Sequence, residues 1–472
     1  MSATASDHSE KPRRQVVRLI MVIYLLLLFE GALRKWVLTS FGPVLFFVRD
    51  PFVLMVYWLA LRHSLYPRGN ALLQVGVAFG CLGLLLLAFQ AAGVASGIDK
   101  WPLLAAYGWR NYFLYIPLPF VIGEVFEARD IQRFVKLTCI LAVPIAVLVL
   151  LQFRSSPDAP INVGFGASAA QQFQGLTVDA DHTRPMGTFT SDVGQKQFDV
   201  STIAMLLTLW ITPLARRFLK SWQMLIATCA VLTCIAVGGS RGAMLGSGIV
   251  VTMAIASAAV LRGMGASARA IVWPTLLVVV AVSLYPVVFP DGYATFINRW
   301  NGAAAAESRY FQLGIFGRAF YGFYEFFSLL ADTPITGYGL GLAGNASLTL
   351  GVTIPGFSGW AEDDWSRHIV DLGPVVGVLF ILYRVALVTW LGMTCLHGAR
   401  RTGNPLALLL FSYCGVELLS GELTGHGTVN GYGWLFAGLC LAAAKAPAVA
   451  SQLDAVKLAQ SINAPRFVNL MR

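Results

Sequence analysis

The chain has 472 residues, of which 57% are hydrophobic and only 12% charged, with a formal net charge of +10. Soluble globular chains carry roughly 25% charged residues, so a water-soluble fold is excluded. Apolar runs of about 20 residues, enough to cross a bilayer core of about 30 Å, recur along nearly the whole length. The fold class expected is an all-α polytopic membrane protein.

Residues 1–15 hold Lys11, Arg13 and Arg14 and lack a small-residue cleavage site after an apolar core. They read as a cytoplasmic N-terminal tail, not a removed signal. About 12 transmembrane helices follow, over 16–33, 43–61, 71–93, 103–125, 131–153, 197–215, 222–238, 242–262, 270–289, 373–396, 404–421 and 428–446. The first five fill 16–153, helices six to nine fill 197–289, and the last three fill 373–446. Between them lie a loop at 154–196 and a large loop at 290–372, and residues 447–472 form a C-terminal tail.

Basic residues mark every even-numbered connection: Arg62 and Arg68, then Arg129, Arg133 and Lys136, then Arg216, Arg217 and Lys220, then Arg262 and Arg269, then Arg400 and Arg401. By the positive-inside rule both termini are cytoplasmic and the two long loops face outward. The net charge is thus mostly topological and implies no nucleic-acid partner. Cys81, Cys139, Cys229, Cys234, Cys395, Cys414 and Cys440 all fall inside spans, so no structural disulfide is expected. The large outer loop carries eight acids and four basic residues, all arginine, which is not a topological pattern and marks it as a place to look for a site.

Spans seven and eight are joined by GGSR, residues 238–241, on the outer side. The glycines permit a tight turn and Ser240 can cap the next helix. Arg241 then stands at a helix N-terminus at the membrane boundary, where guanidinium forks bind phosphate oxygens. Snorkelling to lipid headgroups is the plain alternative. Other outward arginines favour a clustered anion site: Arg34 beside Lys35, Arg110 in YGWRNY, Arg184 in RPMGTF and Arg318 in FGRAF. Arg49 either joins them or is neutralised by its neighbour Asp50. Arg384 and Glu417, inside spans ten and eleven, either pair across helices or line a path for the acceptor.

The segments SRGAMLG (240–246), RPMGTFTSD (184–192), GRAFYGFYEFFSLLADTPITGYGLG (317–341) and DLGPVVG (371–377), in this order and topology, resemble the O-antigen ligase and O-antigen polymerase family. The resemblance covers about residues 184–390. It implies a GT-C-like membrane glycosyltransferase, inverting and independent of metal ions and cofactors. The donor would be a glycan on undecaprenyl pyrophosphate. The acceptor would be a lipid-linked repeat unit or a lipid-anchored sugar such as lipopolysaccharide core. Arg241 and Arg318, with Arg34, Arg110 and Arg184, would hold the departing diphosphate, and membrane lipids and a chain-length regulator would be further partners.

Family members place a His-Asn pair about eleven residues before the re-entry glycine, and this chain has Glu362 there, in AEDDWSRHIVDLG. Either Glu362 or His368 would be the base, with Asp364 and Asp371 on the histidine's helix face. The rival reading of the acids is a solvated run on an outer helix. The aromatic-rich stretch 310–327 would anchor the loop at headgroup depth, with Arg318 and Glu325 on one face. The glycine-rich stretch 351–360 would act as a lid. The function expected is a polysaccharide polymerase of a bacterial inner membrane. An O-antigen ligase is the second choice, and a secondary transporter or lipid-linked sugar flippase the rival of another class.

Overall fold

The computed structural model describes residues 3–41, 45–93, 97–98, 100–162, 183–212, 217–262, 276, 279–280, 283–310, 314–349, 351–352, 361 and 363–446. Among these residues six helices are long and apolar enough to cross a membrane: Glu10–Val37, Ala71–Ala92, Ala128–Arg154, Ser221–Gly238, Arg241–Leu261 and Pro374–Thr402. The protein is thus a helical chain suited to a membrane. The expected spans at 16–33, 71–93, 131–153, 222–238, 242–262 and 373–396 each fall on one of these helices. Most of the expected span at 270–289 lies outside the described residues.

In chain order, α1 (Ala3–Ala32) is followed by α2 (Asp50–Arg62), α3 (Ala71–Ala92), α4 (Trp101–Trp109), α5 (Leu118–Val125), α6 (Ala128–Arg154), α7 (Asp192–Ile211), α8 (Ser221–Gly238) and α9 (Arg241–Arg262). Then come α10 (Pro290–Tyr310), α11 (Ile315–Tyr321), α12 (Phe326–Leu329), α13 (Asn345–Thr349), α14 (Asp364–Leu372), α15 (Pro374–Thr402), α16 (Leu406–Ser420) and α17 (Gly427–Lys445). Among the long helices, α7 and α17 are buried along most of their length. Helix α17 packs on α5, α15 and α16, while α7 packs on α8, α9 and α16. Small residues allow the contact: a β-carbon on Gly438 would stand 2.6 Å from Ile122, and one on Gly123 would stand 2.7 Å from Leu441.

The expected continuous span at 103–125 is broken. Helix α4 ends in a widened turn at Arg110–Leu114, and α5 begins after Pro117. Proline supplies no N–H and obstructs the preceding turn, and carbonyls freed at membrane depth must find other donors. They do: Tyr57 donates to the Leu114 carbonyl at 2.7 Å and Asn430 to the Asn111 carbonyl at 2.6 Å. A second widened turn, closed by Leu38 N–H on the Leu33 carbonyl at 2.7 Å, ends the first span and carries Arg34 and Lys35. Helix α2 has 13 residues and is about 20 Å long at 1.5 Å per residue, short of a full crossing.

The large loop closes onto the bundle through α14, a polar nine-residue helix that is almost wholly buried. Asp363 caps it by accepting from the Ser366 N–H at 2.8 Å. Gly373, at φ +82, turns the chain into α15, and a β-carbon there would meet the Ile335 carbonyl oxygen at 2.2 Å. Gln90 ties the two strands of chain together. Its amide donates to the Thr336 and Asp371 carbonyls at 2.7 and 2.8 Å and accepts from the Leu340 N–H at 3.0 Å. In the aromatic stretch, Phe320, Tyr324 and Phe327 are exposed. All seven cysteines are free.

Candidate active site

The stretch GELTGHGTVNG, from Gly421 to Gly431, comprises the connection between α16 and α17 (Gly421–His426) and the first turn of α17. Its glycines make room for arginines. A β-carbon on Gly425 would stand 2.1 Å from the Arg367 guanidinium, and one on Gly431 would stand 2.2 Å from that of Arg49. The Arg49 guanidinium donates to the Gly427 carbonyl at 3.0 Å. The segment is thus threaded between two buried cations, and it carries Glu422 and His426 beside the start of α7.

These side chains line a partly exposed bowl. His426 Nε2 lies 3.0 Å from the Ser191 hydroxyl, just ahead of α7. One residue on, Asp192 pairs with Arg184. One turn further, Lys196 pairs with Glu417 of α16 at 3.0 Å, and its ammonium lies 3.8 Å from where a Gly242 β-carbon would stand. Arg241 stands at the start of α9, close enough for its charge to act on Arg184, and Ser240 caps that helix by accepting from the Ala243 N–H at 3.3 Å. Glu422 is held by Arg367 at 3.5 Å. The side chains of Lys196 and Arg241 remain 26% and 22% exposed, so an anion can reach both.

Each cation already has a carboxylate. Arg241 donates through both terminal nitrogens to Glu307 of α10, at 3.0 and 2.8 Å, and Arg318 reaches the same carboxylate at 3.3 Å. The bond from Arg241 and the two guanidinium charges hold the Glu307 carboxyl below its usual range. Burial, together with the Arg241 charge, lowers the Arg184 pKa against the pull of Asp192. Two guanidiniums thus meet on the Glu307 carboxylate.

Behind the floor lies a second, deeply buried cluster. Glu30 lies 3.6 Å from Arg34 and 2.9 Å from Arg49. Arg110 lies with its Nε 3.0 and 2.9 Å from the two Asp50 oxygens, and Tyr115 donates to Asp50 at 2.8 Å. Three guanidiniums here share two carboxylates. Their faces are covered by Phe46, 4.6 Å from the Arg34 guanidinium and 5.9 Å from that of Arg110. The neutralisation of Arg49 by Asp50 is therefore corrected: the partners are exchanged, because Asp50 faces the broken helix and Arg49 faces α1.

His368 is fully buried and has no free nitrogen. Arg384 donates to Nε2 at 2.7 Å, so Nδ1 carries the hydrogen and donates to the Tyr112 hydroxyl at 3.2 Å. Tyr112 in turn lies 3.2 Å from Asp371 Oδ2. Arg384 also binds Asp364 at 2.5 Å, and Thr424 donates to that carboxylate at 2.6 Å. Burial, with the Arg384 and Arg367 charges, pushes the histidine down to about 3. Burial raises Asp371 to about 7, against the bonds it accepts from the Ala343 N–H and its neighbours. Asp364 stays below its usual range because Arg384 and Arg367 outweigh burial. This cluster joins α14 and α15 to the broken helix, and His368 belongs to that joint. Arg384 pairs with Asp364 and touches only the Glu417 backbone, at 3.3 Å, while the Glu417 carboxylate goes to Lys196. The expected Arg384–Glu417 pair is corrected accordingly.

Of the residues singled out in the sequence, Arg184 and Arg241 line the bowl and Arg318 stands at its rim through Glu307. Arg34 and Arg110 are 6% and 3% exposed and lie in the buried cluster behind it. Glu362 lies outside the described residues, as does most of the stretch expected to form a lid. Arg318 forms an ion pair with Glu307. Lys196, Arg367, Glu422 and His426 were missed. Their signal was a histidine and an acid among glycines in a short connection between two apolar runs. Among the described residues no group of three or more His, Cys, Asp or Glu is arranged to hold a metal ion. No protein-family model and no curated protein matches this chain.

Proposed function

We propose that this chain is a membrane glycosyltransferase that passes a glycan from undecaprenyl pyrophosphate to a sugar hydroxyl, acting as a polysaccharide polymerase at the outer face of a bacterial inner membrane. The observation that carries the reading is the gathering of Arg184, Lys196 and Arg241 in one partly exposed bowl beside His426, at the ends of apolar helices. A diphosphate on a lipid carrier lies at that boundary, with its sugar on the water side. In the reaction the acceptor oxygen bonds to the anomeric carbon as the bond from that carbon to the diphosphate oxygen breaks. The electron pair leaves on the diphosphate, so negative charge grows beside the guanidiniums. Each preorganised donor aimed at such charge contributes about 3 kcal/mol.

The twelve-span topology, the cytoplasmic termini and the GT-C-like arrangement belong to the same proposal. Ligation to lipopolysaccharide core would use this donor chemistry with another acceptor. Arg241→Lys retains a charge and loses the fork. It is expected to abolish glycan product in a strain making normal amounts of protein, with loss of chain-length ladders on gels. Polymer accumulating on the lipid carrier in a deletion strain would assign the ligase instead. Unchanged product from both Arg241→Lys and Arg184→Lys would overturn the leaving-group role.

A further inference from the structure

Of the two residues named as a base in the sequence, Glu362 lies outside the described residues, and His368 has both nitrogens taken. His426 is placed differently from His368. It is partly exposed, stands among the cations of the bowl, and already has a hydroxyl, that of Ser191, 3.0 Å from Nε2. A sugar hydroxyl presented to the same nitrogen would need that same geometry. The other nitrogen, Nδ1, is buried and has no hydrogen-bond partner. The free protein therefore offers little to stabilise an imidazolium.

The surrounding charges point the same way. Asp192 of α7 favours the protonated ring, while Lys196 of the same helix, Arg367 of α14 and Arg49 beside α2 oppose it. Glu422, on the ring's own connection, is engaged by Arg367. Burial first, and then these three cations, hold His426 down to about 4. A ring in that state is neutral at pH 7 but a weak base. An arriving diphosphate would bring negative charge into the same bowl and reverse the balance.

We infer that His426 is the general base of the transfer, and that the donor's own diphosphate brings it to working strength by offsetting Arg49, Lys196 and Arg367. The inference rests on the donor reading given above. The acceptor hydroxyl gives its proton to Nε2 as its oxygen bonds to the anomeric carbon. The diphosphate leaves with the electron pair, and the imidazolium then loses the proton to water as the product departs. The base is active only while the donor is present, which keeps the empty enzyme inert.

The test uses the full chain in lipid nanodiscs, with labelled histidine and inorganic pyrophosphate as the probe. The His426 signal is assigned by its disappearance in His426→Gln. Saturating pyrophosphate is expected to raise its titration midpoint by about one unit or more. A midpoint that stays put while calorimetry shows pyrophosphate bound overturns the coupling. In glycan transfer, His426→Gln is expected to lose about 10²–10⁴-fold in rate while still binding pyrophosphate. Near-normal transfer by that variant overturns the base. Failure of the unsubstituted protein to bind pyrophosphate overturns the donor reading itself, which separates the two.

Discussion

Arg241 and Glu307 face each other fork to fork, at 3.0 and 2.8 Å, with Arg318 3.3 Å from the same carboxylate. The carboxylate occupies the guanidinium edges that a phosphate would use. A diphosphate bound as proposed would therefore compete with Glu307 for Arg241, across the contact between α9 and α10.

Glu307→Gln is expected to tighten pyrophosphate binding, because the amide is a neutral and weaker rival. It is also expected to lower stability by about 1 kcal/mol, since a charge-assisted bond is lost. Calorimetric titration and thermal unfolding read the two effects separately. Weaker pyrophosphate binding would show that the carboxylate builds the anion site instead of blocking it.

Gly431→Ala sets a methyl group against the Arg49 guanidinium, which is 1% exposed and bound to Glu30 and the Gly427 carbonyl. Overpacking of this kind costs about 1–3 kcal/mol. Displacement of Arg49 also moves the Gly427 carbonyl and with it His426. Glycan transfer is expected to fall further than the small loss of folded protein explains, as measured in membranes normalised for protein. Normal transfer would detach the buried cluster from the site.

Asp364→Asn removes the carboxylate partner of Arg384, a residue 1% exposed. A buried cation stripped of its partner costs about 3–5 kcal/mol. A large drop in unfolding temperature is expected, with reduced protein in membranes. A drop within error would mean that the His368 bond and the three backbone carbonyls around Arg384 suffice.

The pH dependence of stability follows from His368, His426 and Asp371. The two histidines are held low, at about 3 and about 4, so between those values and the ordinary 6.5 the unfolded chain binds more protons than the folded one. Their contribution is present above 6.5 and is lost as the pH falls. Asp371, raised to about 7, runs the other way. Its folded form keeps a proton that the unfolded form loses above 3.8, so its contribution declines as pH rises from 3.8 to 7. Asp371→Asn is expected to remove that opposing slope and make stability climb more steeply with pH across this window. Unfolding midpoints measured from pH 4 to 7 check it, and an unchanged slope would mean that Asp371 is ionised.

Much of the scaffold was legible before the structure. Long apolar runs such as 71–93 and 131–153 report their helices because nothing but a helix satisfies the backbone in lipid. Ser240 and Gly373 announce a helix start and a turn. The break at Arg110 was not legible, since composition cannot tell a span from two half-helices whose freed carbonyls are taken by Tyr57 and Asn430. Partners of charges were legible only by type. Arg49 and Asp50 are adjacent in sequence yet point to different neighbours, because adjacent helical residues diverge by about 100°. His426 was not legible because the conspicuous charges lie in the long loops, while the six-residue connection Gly421–His426 carries a ring into their midst.

Three neighbouring residues on the widened turn after Trp109 reach three separate neighbourhoods. Arg110 holds Asp50, Asn111 exchanges hydrogen bonds with the carbonyl of Thr424 and the amide of Asn430, and Tyr112 meets His368 and Asp371. The half-helix ahead of this turn shows Leu103 to its surroundings, where lipid chains would press. A sideways push on that short rod would therefore be felt at once by the arginine cluster, the start of the terminal helix and the anchor of the big loop.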